Sequence, residues 1–145
     1  MAMNGPDDAV DDLAAVLFAL DEGALSTAAV TARITRIVTD WALAKGWTVR
    51  REARVSVDDR LGFVDVVVGR GASGPHLAIE IDSTDKSWSV EKLRHAAAAG
   101  MHAIWIRWGD EEWAGTHADI DVIQLPARRQ SAPRTRLSSQ LTLWP

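Results

Sequence analysis

Residues 77–88, with the sequence LAIEIDSTDKSW, form the segment around which the other predicted elements are arranged. The first six residues alternate, so the apolar ones share one face of a predicted strand and Ala78, Glu80 and Asp82 share the other. The two carboxylates therefore project side by side, which costs stability unless a cation or a proton lies between them. A solvated strand face is the ordinary interpretation of such a pair, and features elsewhere in the chain favour a functional one.

Length and composition predict one globular domain with a hydrophobic core. The chain has 145 residues, of which 47% are hydrophobic and 25% are charged. It contains no cysteine, which excludes disulfides, thiolate zinc sites and cysteine nucleophiles, and its four histidines lack zinc-type spacing. No apolar run is long enough to span a bilayer, and the N-terminus is acidic, unlike a signal peptide. We therefore expect a cytoplasmic protein with no membrane partner.

The formal net charge of −4 is unevenly distributed along the chain. Residues 1–30 carry six acids and no Lys or Arg, whereas residues 126–145 carry four arginines and no acid. We predict a single domain over residues 1–125, with an acidic N-terminal helix at 8–21, and a basic tail over 126–145. A basic tail can bind a polyanion, but this composition is also that of a disordered segment.

Hydrophobic periodicity predicts an α/β fold with a mixed sheet. Ser26 or Thr27 can cap the second helix, and Ser87 or Ser89 the third. Three strands joined by short turns should be antiparallel, and the following helix is long enough for a right-handed crossover to a parallel strand. The predicted elements are helices at 8–21, 27–45 and 87–99 and strands at 47–57, 63–69, 77–82, 101–108 and 120–125.

Asp65 is the only charged residue in GFVDVVV, residues 62–68. A carboxylate in an apolar strand must be paired, hydrogen-bonded or bound to a ligand, and bonding to backbone amides would satisfy it as well. A symmetric hairpin between the second and third strands would place Asp65 opposite Glu80. With Asp82, these side chains would offer three hard oxygen ligands, which suit Mg²⁺ or Mn²⁺ and not zinc.

Several basic residues lie near the predicted acidic group. Lys86 follows the acids and Lys92 lies one turn into the next helix, so either could supply a cation near an attacking water or a phosphate. Arg50, Arg51 and Arg54 are candidate phosphate contacts on the first strand. Each of these five residues could equally be an ordinary solvated surface residue.

Seven of the nine aromatic residues are tryptophan. Trp41, Trp88 and Trp105 occur in apolar periodic segments and are predicted core residues. Trp108 and Trp113 flank an acidic loop, where they could pack over the end of the sheet or, if exposed, stack on a base.

The order of elements and the acids together resemble the PD-(D/E)XK nuclease superfamily, which has the restriction-endonuclease-like fold. That family has an α-β-β-β-α-β core, with an Asp on the second strand and an acid-x-Lys on the third. Asp65 and Glu80 match the two acids, and Asp82 stands where the family has lysine. Glu80-Ile-Asp82 is similar to the E-x-D of the Vsr-like branch. In some members of the family the lysine is found at a nearby position instead, so the resemblance makes Lys86 and Lys92 candidates to replace it. The resemblance covers residues 27–108.

The resemblance implies a metal-dependent hydrolase that cleaves phosphodiester bonds in DNA, as an endonuclease. Asp65 and Glu80 would bind Mg²⁺ or Mn²⁺, joined by the Ile81 carbonyl, and Asp82 would bind a metal or orient water. Either lysine would polarise the water or hold phosphate.

An alternative of a different class is a catalytically inactive module of the same fold that binds DNA or a protein partner. The missing third-strand lysine favours this alternative, and the retained acids oppose it. RNA remains open as a substrate, and a homodimer is open because restriction-like enzymes that cut both strands commonly pair.

Overall fold

The structure is a computed structural model that describes residues 6–20, 26–109, 113 and 117–126. Apart from residue 126, the predicted basic tail lies outside the described residues, as does most of the loop between Trp108 and His117. The helices and strands are α1 (Pro6–Phe18), α2 (Thr27–Ala44), β1 (Thr48–Val57), β2 (Arg60–Gly69), β3 (Leu77–Asp82), α3 (Ser87–Ala98), β4 (His102–Arg107) and β5 (Asp121–Gln124), with a short 3₁₀ turn at Gly71–Ser73.

The five strands form one mixed sheet in the order β1-β2-β3-β4-β5. The β1–β2 and β2–β3 pairs are antiparallel, whereas β3–β4 and β4–β5 are parallel. The chain thus runs helix, three strands, helix, strand from α2 to β4, which confirms the predicted α/β order. Among the described residues, no helix has the length and apolarity needed to cross a membrane.

Helices cover both faces of the sheet, and each face has its own apolar cluster. Helices α1 and α2 pack on the larger cluster, which includes Leu77, Ile79 and Ile81 of β3. Helix α3 packs on the smaller cluster, which includes Ala78 and Trp105. The period-2 alternation of β3 therefore buries its odd residues against α1 and α2 and its even residues against α3.

Two element boundaries differ by three residues from the predicted ones, and the cap of α3 also differs. Strand β2 begins at Arg60 rather than at residue 63, because Asp58 and Asp59 both adopt positive φ angles (49° and 68°) and close a two-residue hairpin turn. Helix α1 ends at Phe18, before the predicted end at 21. Helix α3 has Lys86 at its N-cap, with no side-chain capping bond.

Of the predicted helix caps, only one is confirmed. Ser26 caps α2 and accepts a hydrogen bond from the Ala29 N–H at 3.1 Å. Ser89 does not cap α3, because its hydroxyl is directed at the carboxylates of β3. The first turn of α3 therefore contributes a buried polar group to the sheet.

Candidate active site

Strand β2 separates from β3 at Asp65. The backbone pairs run from Val68↔Leu77 to Val66↔Ile79 and stop there; this is the register from which the sequence predicted that Asp65 would come opposite Glu80. There the ladder is replaced by side-chain bonds: the Ile81 N–H donates to Asp65 Oδ2 at 2.8 Å, and the Asp65 N–H donates to Glu80 Oε2 at 3.2 Å. Asp65 therefore fills the gap between the diverging strands.

Strand β1 is distorted at the same level. Glu52 has φ +52°, rare for a residue other than glycine, and its pairing is missing between Arg51↔Val66 and Ala53↔Val64. On β2, Val66 packs on the α1/α2 side but Val64 packs on the α3 side. In a regular strand, residues two positions apart lie on the same face. The strand thus rotates at Asp65, and this rotation opens the gap that its side chain occupies.

Glu80 is 2% exposed and is held by α3 and β2 together. The Lys92 ammonium lies 3.2 Å from Glu80 Oε2 and 3.3 Å from Oε1, and it also donates to the Phe63 carbonyl at 2.6 Å. Lys92 is itself buried, so it neutralises part of the acidic charge where solvent cannot.

Asp82 is buried beside Glu80 but is directed at different partners. Its Oδ2 accepts hydrogen bonds from Ser89 Oγ at 2.6 Å and from Trp105 Nε1 at 2.8 Å. Lys86 lies 3.5 Å from Oδ1, and its side chain is 60% exposed. Ser89 Oγ is also 3.3 Å from Glu80 Oε1, so one hydroxyl links the two carboxylates.

Burial and mutual repulsion perturb the two acids at the gap. Desolvation raises the pKa of Glu80 to about 8; the charge of Asp65 adds to the rise, and Lys92 opposes it. Desolvation also raises the pKa of Asp65, against the lowering effect of the Ile81 N–H. Burial therefore disfavours the charged forms of both acids, and a cation between them would favour those charged forms.

An open cleft of about 620 Å³ contains these residues. Its wall on one side is the N-terminal half of α2, and on the other the first turns of α3. Arg51 and Glu52 of β1 reach it across Asp65. Residues of α2, β3 and α3 also line the cleft, among them Thr31, Glu80, Ile81, Asp82, Lys86, Trp88, Ser89 and Lys92.

The predicted arginine contacts are divided between two clefts. Arg51 lines the acidic cleft, whereas Arg50 and Arg54 line a second cleft of about 500 Å³ beside the C-terminal half of α3, together with His76 and His95. The first strand therefore presents its arginines to opposite sides of the sheet.

The tryptophans follow the predictions except at Trp88. Trp41 and Trp105 are core residues, as predicted, and Trp108 is buried in the larger cluster. Trp113 packs edge-on against Trp105, with ring centroids 5.5 Å apart. The prediction that Trp88 belongs to the core was wrong: it is half-buried and lines the acidic cleft.

Within the described ranges, no three Asp, Glu, His or Cys side chains form a group that could hold a metal ion. The three predicted ligands all line one cleft, but Asp82 Oδ2 is occupied by hydrogen bonds from Ser89 and Trp105. Asp65 and Glu80 are the adjacent pair. Asp65 Oδ2 accepts from the Ile81 N–H, and within the described ranges no donor reaches Asp65 Oδ1.

Sequence reasoning missed the part that Ser89 and Trp105 take in the site. A usable signal was present for Ser89, because residues 89 and 92 are three apart on a helix and share a face. No local pattern indicates that the Trp105 indole N–H reaches across the sheet to Asp82.

Neither a scan of protein-family models nor a search of curated proteins found a match to this chain.

Proposed function

We propose that this chain is a Mg²⁺-dependent nuclease of the PD-(D/E)XK, restriction-endonuclease-like class that hydrolyses phosphodiester bonds in DNA. One observation carries the proposal: Asp65 fills the gap between diverging strands, opposite Glu80, with the Lys92 ammonium 3.2 Å from Glu80. Two acids and a lysine thus meet in one cleft, on the strands where the resemblance expects the acids. The α-β-β-β-α-β order of the elements agrees with this class.

The donor set fits a hard divalent cation. Asp65 and Glu80 would hold Mg²⁺, with the Ile81 carbonyl as a further oxygen from the cleft wall. Mg²⁺ commonly binds through one or two carboxylates and keeps waters or substrate phosphate oxygens for its other positions, so a third acid is not required. When bound, Mg²⁺ would supply an activated water and stabilise the negative charge that develops on the phosphate.

Lys92 is the better candidate to substitute for the family lysine. Its ammonium is fixed by Glu80 and the Phe63 carbonyl, which leaves a third N–H to orient a water or a phosphate oxygen in the cleft. Lys86 is the less suited of the two candidates, because its side chain is mostly exposed and its nearest acid is Asp82. Asp82 positions α3 through Ser89 and so helps to place Lys92, three residues further on.

The alternative of an inactive binding module is supported by a specific observation. Both oxygens of Glu80 already have protein partners, and its pKa is raised to about 8, so the acid can remain protonated as part of a closed hydrogen-bonded group. In that case the cleft binds no cation, and Lys92 serves the packing of α3 on β2.

Metal titration and plasmid cleavage together test the proposal. We expect heat on titration with Mg²⁺ or Mn²⁺ and conversion of supercoiled plasmid to nicked circles, both abolished by EDTA. Asp65→Asn and Lys92→Met should each lower cleavage by about 100-fold or more, as removal of a charge-stabilising group does. The matched control is Asp40→Asn, which removes an exposed carboxylate from α2 and should cleave like wild type.

Two results would contradict the nuclease proposal. Cleavage that continues in EDTA, or that is the same in Asp65→Asn as in wild type, would show that the activity comes from elsewhere. If titration with Mg²⁺ or Mn²⁺ gives no heat of binding in wild type or in Glu80→Ala, the binding module is favoured.

A further inference from the structure

Trp88 lies on the backbone of β2 at the mouth of the acidic cleft. A Cβ atom at Gly62 would come 2.6 Å from Cζ2 of the indole, far inside van der Waals contact. The glycine is therefore required for space, because any side chain at residue 62 would push Trp88 away from β2. Lys92 Cδ lies on the same side, 3.2 Å from that Cβ position. The indole is thus held between the strand and the cleft.

Arg60, the first residue of β2, stacks on this indole. Its guanidinium carbon is 3.7 Å from the Trp88 ring centroid, closer than any other cation–ring pair among the described residues. Arg60 is exposed, and no acid of the described chain lies within ion-pair distance of it, although Asp58 and Asp59 precede it. Its cationic head is therefore fixed in place by an aromatic face and keeps its N–H edge free.

We propose that Arg60, held flat on Trp88, binds a phosphate group of the nucleic-acid substrate at the mouth of the acidic cleft. A planar guanidinium matches two phosphate oxygens at once, and stacking reduces the entropy lost when that contact forms. The proposal rests on the nuclease function, since the cleft's own acids would repel a polyanion unless cations at its mouth attract one.

Arg60 faces the α3 side of β2, which is the side of the acidic cleft that Trp88 lines. Its even-numbered neighbours Gly62 and Val64 face the same side, toward Trp88 and the α3 cluster. The exposed Leu61 and Phe63 lie on the other side of the strand and take no part in the contact.

Salt-dependent DNA binding measured in EDTA tests Arg60 without any contribution from a metal. The assay is fluorescence anisotropy of a labelled duplex and a labelled single strand, between low and moderate salt. For Arg60→Gln we expect about 5-fold weaker binding, with the slope of log K against log salt reduced by roughly 0.9 on duplex or 0.7 on single strand, the value for one phosphate contact. The control is Arg36→Gln, which removes another exposed charge, from α2, and should leave the slope unchanged.

Two further variants separate a phosphate contact from a structural role. Arg60→Lys should keep the slope and bind more weakly, because lysine retains the charge but lacks the planar fork. Trp88→Leu should also weaken binding with the charge intact, because Arg60 then loses its support. If Arg60 only covers the indole, Arg60→Gln will change the free energy of unfolding and leave the salt slope at the wild-type value, which overturns the proposal. Absence of DNA binding by the wild-type chain at low salt also overturns it.

The two proposals fail in distinguishable ways. A reduced slope in Arg60→Gln, with no Mg²⁺-dependent cleavage by wild type, would retain the phosphate contact and reject the nuclease. Cleavage that is lost in Asp65→Asn, with a normal slope in Arg60→Gln, would retain the nuclease and reject the phosphate contact.

Discussion

The two faces of β3 are almost equally buried but bury different chemistry. Leu77, Ile79 and Ile81 are at most 4% exposed and lie in an apolar cluster under α1 and α2. Glu80 and Asp82 are at most 5% exposed and lie among hydrogen-bond donors from α3, β2 and β4. Apolar burial stabilises the chain in proportion to area, whereas each buried carboxylate costs free energy that its partners only offset.

That difference separates what the fold needs from what the site needs. Replacing a buried ion pair by apolar residues of similar volume is often neutral or stabilising, so stability alone does not account for Glu80, Asp82 and Lys92 in this position. A function that uses charge inside a cleft does account for them. The α1/α2 face should therefore dominate stability, and the α3 face should dominate pH dependence and chemistry.

The largest effect is expected from the apolar face. Ile79→Ala removes a fully buried side chain and should lower the free energy of unfolding by about 2–5 kcal/mol, the cost of lost burial plus a cavity. Equilibrium unfolding in urea measures it. Leu61→Ala is the matched control, because it truncates an exposed apolar residue and should change stability by less than about 0.5 kcal/mol. A loss below about 1 kcal/mol for Ile79→Ala would remove the contrast between the faces.

On the polar face, the raised pKa of Glu80 predicts a pH effect of opposite sign to that of an ordinary salt-bridged acid. Between the model-compound pKa of 4.5 and the folded value of about 8, the folded chain binds more protons than the unfolded chain. The contribution of Glu80 to stability is therefore complete below pH 4.5 and is lost as pH rises through 8. Each pKa unit corresponds to about 1.4 kcal/mol, so a shift of this size limits the loss across the range to about 5 kcal/mol.

Unfolding in urea and EDTA at several pH values tests this prediction. Glu80→Gln should show a flatter stability profile than wild type between pH 5 and 8.5, because glutamine has no proton to lose. Glu91→Gln, an exposed position on α3, should keep the wild-type profile. The pKa of Asp65 is raised as well, so the difference between wild type and Glu80→Gln reports Glu80 together with its coupling to Asp65. Parallel profiles for wild type and Glu80→Gln would show that Glu80 stays ionised.

The sequence predicted most of the fold because the fold depends on periodic patterns. Alternation in β3, the glycine-rich hairpin and the length of α3 were enough to predict the directions of the first four strands and the register of the β2–β3 hairpin. Boundaries shifted where one local conformation decides, as at Asp58 and Asp59, whose positive φ angles lengthen β2. The tail prediction remains a prediction, since residues 127–145 lie outside the described part.

The site was predicted less completely, because its details depend on contacts between distant elements. Three acids on one patch followed from register, but the sequence does not show that Trp105 and Ser89 donate to Asp82. Nor does it show which lysine is buried: Lys86 is nearer to the acids in sequence, yet Lys92 is nearer to Glu80 in space. Both outcomes depend on the orientation in which α3 packs on the sheet.

The smallest predicted effect concerns the hydrogen bonds from Ser89 and Trp105 to Asp82, which connect α3 to the sheet. Ser89→Ala removes the 2.6 Å bond to Asp82 but leaves the Trp105 indole N–H on the same oxygen, so we expect a loss of about 1 kcal/mol. Trp105→Phe removes the other donor. Losing both leaves Asp82 Oδ2 with no donor from the described chain, so the double variant should lose at least about 0.5 kcal/mol more than the two single losses combined. Ser87→Ala, an exposed serine two residues away, is the control. Additive losses would mean that Asp82 turns to solvent or to Lys86 when released, in which case it is the packing of α3, and not this shared carboxylate, that keeps Lys92 beside Glu80.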